Sequence, residues 1–251
     1  MNTKKIYFAS DLHLGAPYIT DPKLHEKRFV DWLTSIQPTA KELFLLGDIF
    51  DFWWEYKRVV PRGFVRLLGK LAEFSDSGIP VHFFIGNHDI WLKDYLEKEI
   101  GMSIHREPTV FERNGLKLFL AHGDGLNDTS LGFRVVRGAF HSKFLQKMFE
   151  TFVHPDLAIK IGQTWSNSSR KSHDQKHTAT YLGEDKEHLV QYAKKHLKEN
   201  DINFYVFGHR HITLDLMLTK NSRVIILGDW ITHFSFGSLE DKTFKLEFFG
   251  H

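Results

Sequence analysis

Apolar and polar positions fall into two textures along this chain. In the first, short apolar runs of strand length end on a small residue and a polar side chain, and stretches of helical period separate them. Ile6-Tyr7-Phe8-Ala9-Ser10 reads as a strand that delivers Asp11-Leu12-His13. Leu24, Phe29, Leu33 and Ile36 then mark one face of a helix, stopped before Pro38. Leu43-Phe44-Leu45-Leu46 is a second, fully apolar strand, followed by Gly47-Asp48 and the aromatic-rich block Ile49-Phe50-Asp51-Phe52-Trp53-Trp54. A further helical stripe, Phe64, Leu67, Leu68, Leu71 and Phe74, ends before Gly78 and Pro80. Residues 81–85 form a third strand and deliver Gly86-Asn87-His88-Asp89. The order β-α-β-α-β favours an α/β fold with a mostly parallel sheet and right-handed crossovers.

The second texture is β-rich. Asn114-Gly115 is a hairpin turn between residues 108–113 and 116–121, and the second of these strands delivers His122-Gly123-Asp124. Residues 203–207 deliver Gly208-His209-Arg210-His211, and residues 214–218, 223–227 and 244–249 read as a closing meander. Before it, residues 185–199 form an amphipathic helix with Leu189, Tyr192, Ala193, His196 and Leu197 inward.

Residues 127–180 match neither texture. Phe133, Val136, Phe140, Phe144, Leu145, Met148, Phe149 and Phe152 lie at mixed helical spacing, with Arg134, Arg137, Lys143 and Lys147 interleaved. We read them as a helical cap inserted into a core formed by residues 1–126 and 181–251. The stripe serves equally well to pack the cap on the body or to hold apolar ligand chains.

Composition sharpens this picture at three points. With no cysteine, metal ligands must come from histidine, carboxylate and amide, and a reducing cytoplasm is a compatible setting. Sixteen histidines hint at metal or acid–base chemistry. The first residues run straight into a strand without a signal-peptide pattern, and no apolar run approaches the ~18–20 residues that span a bilayer. The formal charge of +2 and the lack of an extended basic and aromatic track give no reason to expect nucleic acid. Nor does the sequence suggest an obligate protein partner.

Five segments share one grammar, an apolar run followed by a metal-competent side chain with a small residue beside it. They are Asp11-x-His13, Gly47-Asp48, Gly86-Asn87-His88-Asp89, His122-Gly123-Asp124 and Gly208-His209-x-His211. In extended chain, residues two apart fall on the same side, so in a D-x-H or H-x-H pair one ion can be grasped by neighbours. Oxygen and imidazole donors suit manganese, iron or zinc better than calcium or magnesium. A carboxylate directly after a buried strand also sits where open α/β sheets bind ligands.

The ordered set D-x-H, G-D-x-x-D, G-N-H-D, H-G-D and G-H-x-H resembles the calcineurin-like metallophosphoesterases. The resemblance covers most of the chain outside residues 127–180. It implies a four-layer αββα sandwich with two divalent metal ions between the sheets, manganese first, zinc or iron as alternatives. By position it assigns Asp11, His13, Asp48 and His211 to one ion and Asp48, Asn87, His122 and His209 to the other. It makes His88 the group that faces the phosphate, as acid or as charge stabiliser. Asp51 is then expected to orient His88, as carboxylates commonly orient imidazoles, and Asp89 to begin a helix.

Within that superfamily the chain is most similar to the UDP-2,3-diacylglucosamine pyrophosphatases of lipid A synthesis. Ser10-Asp11-Leu12-His13-Leu14, the aromatics after Asp51 and the insertion after His122-Gly123-Asp124 carry this similarity. It implies a nucleotide-linked glycolipid substrate, transient contact with the inner face of the inner membrane from the cytoplasm, and headgroup contacts from Asn167, Arg170 and Lys171. The best-known branch of that family has arginine where this chain has His88; histidine there is the general superfamily pattern. The competing expectations are a soluble metallophosphodiesterase acting on nucleotides or another phosphodiester and a non-catalytic scaffold of the same fold. The complete donor set argues against the scaffold.

Overall fold

Alternation along each strand decides which way its side chains face, and here it builds two sheets with three apolar layers. The computed structural model describes residues 4–126, 142–158, 160–162, 164 and 180–250. The first sheet holds β1 (Lys5–Ala9), β2 (Ala40–Leu46), β3 (Val81–Phe84) and β4 (Ser103–His105), all parallel. The second holds β5 (Thr109–Arg113), β6 (Leu116–Ala121), β7 (Phe204–Phe207), β8 (Thr213–Thr219) and β9 (Ser222–Leu227) in the order β5-β6-β7-β9-β8. Its central β6, β7 and β9 are parallel, and β5 and β8 flank them antiparallel. A hairpin of β10 (Ser235–Glu240) and β11 (Thr243–Phe248) returns to the first sheet and pairs β10 antiparallel to β1.

Residues two apart along each strand share a face. Ile6, Phe8, Phe44, Leu46 and Phe84 of the first sheet meet Leu118, Leu120, Phe204, Val206, Ile225 and Leu227 of the second. The intervening Tyr7, Ala9, Leu43, Leu45 and Phe83 face outward onto α1 (Pro22–Ile36) and α2 (Val65–Asp76). Phe119, Tyr205, Phe207, Val224 and Ile226 face a helix, His188–His196, on the far side. The layers therefore run helix, sheet, sheet, helix. Local chemistry fixes the helix starts: Asp21 accepts the Leu24 amide before Pro22, and Glu26 of α1 accepts the Arg66 and Leu67 amides that open α2.

Several sequence expectations are corrected. Leu24 lies on the exposed side of α1, whose buried face is Glu26, Phe29, Trp32, Leu33 and Ile36. The closing meander is divided: β8 and β9 complete the second sheet, and β10 and β11 extend the first. The helix expected over residues 185–199 covers only His188–His196: the Lys186 and Glu187 amides turn back onto Gly183 before it, and Lys198 and Glu199 close tight turns onto Lys195 and His196 after it. Of residues 127–180, the helix Lys143–Phe152 (α3) is described; His188–His196 is α4. Phe149 of α3 packs on Trp54, 4.5 Å between ring centroids, in a cluster with Phe52 and Trp91. Gly162 lies so close to Phe52 that an added Cβ would sit 2.1 Å from its ring. The aromatic run after Asp51 thus packs against α3 and Gly162.

Candidate metal centre

Six parallel strands, β1, β2, β3, β6, β7 and β9, present their carboxyl ends to one edge of the sandwich. The loops that follow them carry, in turn, Asp11 and His13, Asp48 and Asp51, Asn87 and His88, His122, His209 and His211, and Asp229. All seven metal-ligand candidates predicted from sequence come together there. They do not arrive on extended chain. Asp11, His13, Asp48, His209 and His211 all have positive φ, between 49° and 67°, and make up five of nine such non-glycine residues among those described. That backbone region is sparsely used by side-chain-bearing residues, and clusters of it mark functional sites. His211 joins Asp11 and His13, whereas His209 joins Asp48 and His122, the same division of the two histidines that the family resemblance implies.

Glycines let the loops approach this closely. A Cβ on Gly86 would lie 2.2 Å from Asp48 Oδ1, and one on Gly208 would lie 2.5 Å from Asp11 Oδ2.

The donor atoms face one another in a way that calls for a cation. His211 Nδ1–H points at Asp229 Oδ2, 3.3 Å away, so the Nε2 lone pair faces Asp11 Oδ1 at 3.3 Å and His13 Nε2 at 3.2 Å. His122 Nδ1–H donates to the Leu46 carbonyl at 2.8 Å; its Nε2 then faces Asp48 Oδ2 and Asn87 Oδ1, each at 3.2 Å. Such pairs attract only with positive charge between them, a proton on the imidazole Nε2 in the empty site or a metal ion in the proton's place. Asp11 Oδ1 is buried and receives no hydrogen bond among the described residues. Burial alone would raise the Asp48 carboxyl, but the imidazoles of His122 and His88 hold it well below the usual range. Burial would likewise depress His122, and the Asp48 carboxylate instead raises it well above an ordinary imidazole. Carboxylate, imidazole and amide donors fit divalent metal ions of the manganese, iron or zinc type.

The family model described as "Calcineurin-like phosphoesterase" matches residues 4–213. The chain is 39% identical to a protein named UDP-2,3-diacylglucosamine hydrolase from Porphyromonas gingivalis, over 97% of each chain. It is 29% identical to a protein of the same name from Haemophilus influenzae, over 90% of this chain and 91% of that one. The chain belongs to the calcineurin-like phosphoesterases. It is a metal-dependent hydrolase of that family, whose members hold a pair of divalent metal ions. A solved structure of a dimetal phosphatase from Danio rerio shares the fold, with a TM-score of 0.50 and 14% identity over 98% of this chain and 96% of that one.

Against that phosphoesterase background the neighbouring polar groups take definite places. His88 is buried; its amide donates to Asp48 Oδ1, its Nδ1–H donates to the Asp51 backbone carbonyl at 2.9 Å, and its Nε2 lies 3.9 Å from Asp48 Oδ2. Burial lowers its pKa, with Asp48 acting in the opposite sense. Asp51 therefore orients His88 through its main chain, while its carboxylate lies nearer His13 Nδ1, at 3.4 Å, than His88 Nδ1, at 3.8 Å. Asp89 does not begin a helix. Fully buried, it accepts the Gly86 amide at 2.6 Å and the Ile49 amide at 3.0 Å, tying the loops after β2 and β3 together. Burial and the nearby Asp48 push its pKa up to about 7. Asp229 went unnoticed in the sequence although Leu227-Gly228-Asp229 repeats the strand-Gly-Asp grammar of Leu46-Gly47-Asp48. Its Oδ1 accepts the amides of Ile231, Thr232 and His233, which fixes Oδ2 toward His211. Asn167, Arg170 and Lys171 lie outside the described residues, as do Phe133, Arg134, Val136, Arg137 and Phe140.

Proposed function

We propose that this chain cleaves the diphosphate of UDP-2,3-diacylglucosamine to UMP and 2,3-diacylglucosamine 1-phosphate, a step of lipid A synthesis. The observation that carries the reading is the end-to-end match to a hydrolase of that name, at 39% identity over 97% of both chains. Asp11, His13, Asp48 and His211 would hold one divalent ion and Asp48, Asn87, His122 and His209 the other, with manganese preferred over zinc or iron. When bound, such a pair supplies Lewis-acid charge to the phosphoryl oxygens and lowers the pKa of the attacking water.

The protein's own contribution is placement. His88, held through Nδ1 by the Asp51 carbonyl, presents Nε2 to the Asp48 side of the pocket. A neutral imidazole so held accepts at Nε2; protonated, it would offset charge developing on the phosphoryl group. The departing sugar 1-phosphate is itself a stable anion, so this reaction asks for charge stabilisation more than for a proton. That favours the second of the two roles expected of His88.

We place the acyl chains and the membrane on the side of α3. Phe144 and Phe152 are 70% and 78% exposed, and with exposed Met148 they line one face of the helix. Tyr56 O–H donates to the Val153 carbonyl just after α3, and Lys57 and Arg58, next to Tyr56 in the chain, are exposed. An apolar stripe next to cations suits the inner face of an anionic membrane, approached from the cytoplasm. Among the described residues no helix is long and apolar enough to cross a membrane. Asn167, Arg170 and Lys171 are our candidates for the sugar headgroup.

The test is a manganese-supplemented assay on UDP-2,3-diacylglucosamine, with UDP-GlcNAc and a chromogenic phosphodiester alongside. Rapid UMP release from the acylated substrate alone is the expected result. Turnover of the simple diester alone would keep the metal chemistry, reject the glycolipid, and leave a soluble metallophosphodiesterase.

A further inference from the structure

Between the two histidines of Gly208-His209-Arg210-His211 stands an arginine that the metal chemistry does not use. With His209 and His211 committed to opposite clusters, Arg210 turns outward, toward α4. It is only 9% exposed, and its guanidinium forks onto Glu187, itself 0% exposed. Nε–H donates to Oε1 at 2.8 Å and an Nη2–H to Oε2 at 3.1 Å. Two further contacts come from the next two residues of the same helix start. The His188 ring stands edge-on to the His209 ring, 6.2 Å between centroids. Leu189 packs so tightly on the backbone after His122 that a Cβ on Gly123 would lie 3.2 Å from its methyl carbon. Glu187, His188 and Leu189, the cap and first two residues of α4, therefore touch the loops after β6 and β7.

A buried ion pair seldom stabilises a fold better than a well-packed apolar pair would, because both charges give up water. What a two-pronged fork adds is direction, since the planar guanidinium admits one arrangement of its partner. The loop it grips has two residues with left-handed backbone, His209 at φ 67° and His211 at φ 51°. Such backbone persists only where its surroundings over-determine it. Glu187 is well placed to supply that constraint: its amide donates to Gly183 and its carbonyl accepts the Gln191 amide, so it is fixed at the point where the chain returns from residues 127–180.

We infer that the start of α4 is a brace for the metal-bearing loop, with Glu187 as a positioning residue that acts through Arg210 on His209 and His211. The inference rests on the metal reading given above. Manganese affinity, read by competition with a fluorescent chelator, and manganese per chain test it independently of turnover.

Glu187→Gln should remain folded and bind manganese roughly 10–100-fold more weakly, the loss typical when the support of a metal ligand is removed. Saturating manganese should restore kcat, with KM for substrate unchanged. Arg210→Lys, which keeps the charge and loses the fork, should fall between this variant and wild type, and serves if Glu187→Gln does not fold. Ala193→Gly, on the buried face of α4 away from the pair, lowers the melting temperature and should leave manganese affinity alone. Wild-type affinity in both Glu187→Gln and Arg210→Lys would overturn the brace. So would an equal loss in Ala193→Gly, which would make the effect one of stability. Wild-type protein that takes up no manganese would overturn the metal reading itself, and the brace with it.

Discussion

His88 and Asp229 show how much of this site is settled by single side chains. His88 shares a close donor group with His13 and Asp51, but its Nδ1–H is committed to the Asp51 carbonyl and its amide to Asp48, and we assign it to the phosphoryl group rather than to an ion. His88→Ala should retain the metal and lose on the order of 10²–10³-fold in kcat, the usual cost of removing one charge-stabilising group. If His88 stabilises charge, the loss should be similar for a diphosphate and for an alkyl phosphodiester. A much larger loss on the alkyl ester, whose leaving group needs a proton, would return His88 to the role of acid. Asp229 faces His211 Nδ1. Asp229→Asn removes the charge opposite Nδ1 and should weaken manganese binding roughly 10–100-fold, measured by chelator competition, with little change in KM.

At the scale of elements, the five loop motifs were legible because each is local: an apolar run, a turn, a donor. Asp229 had the same signature and was hidden by the expectation of a closing meander. The division of that meander between two sheets depends on long-range pairing that no window of sequence contains. β10, with Gly237 and two serines, carries little strand propensity of its own and is held by β1 and β11. The left-handed backbone at the ligands was invisible for a similar reason: aspartate and histidine tolerate it without announcing it. The role of Phe52, Trp54 and Trp91 could be read only once Phe149 and Gly162 were seen against them. Trp54→Ala should unseat the inserted segment. We expect kcat/KM on the acylated substrate to fall at least 10-fold while turnover of a chromogenic diester, which needs only the metal edge, stays within a few-fold. Equal losses on both would mean the segment supports the metal edge itself.

At the scale of the whole molecule, one polar chain stitches the two sheets along their far flank. His105 of β4 meets His82 of β3 at 3.0 Å, His82 meets Glu42 of β2 at 2.8 Å, and Arg113 of β5 donates to both Glu42 oxygens at 2.7 Å. Burial pushes Glu42 up, but Arg113 and His82 hold its folded pKa at about 2, against an ordinary 4.5. Its contribution is complete above pH 4.5 and lost as pH falls toward 2. Burial and the neighbouring His82 lower His105 to about 4, against an ordinary 6.5. The unfolded chain therefore binds that proton first, and stability starts to fall once pH drops below 6.5, continuing to about 4. Urea midpoints of metal-free protein should decline across both windows. Glu42→Gln should flatten the lower window and His105→Phe the upper one; parallel curves for either variant would refute the assignment.

The left-handed backbone at the candidate metal ligands has a thermodynamic consequence for the metal-free protein. Each left-handed aspartate or histidine holds a conformation that costs about 1–3 kcal/mol, which glycine would adopt freely. His211, half-buried with its ring facing Asp11 and His13, is the place to see it. His211→Gly should melt no lower than wild type when both are stripped of metal, and clearly lower when both are saturated. The centre would then be a spring compressed by folding and latched by its ions, so that selection for catalysis has kept the empty protein less stable than its own architecture allows.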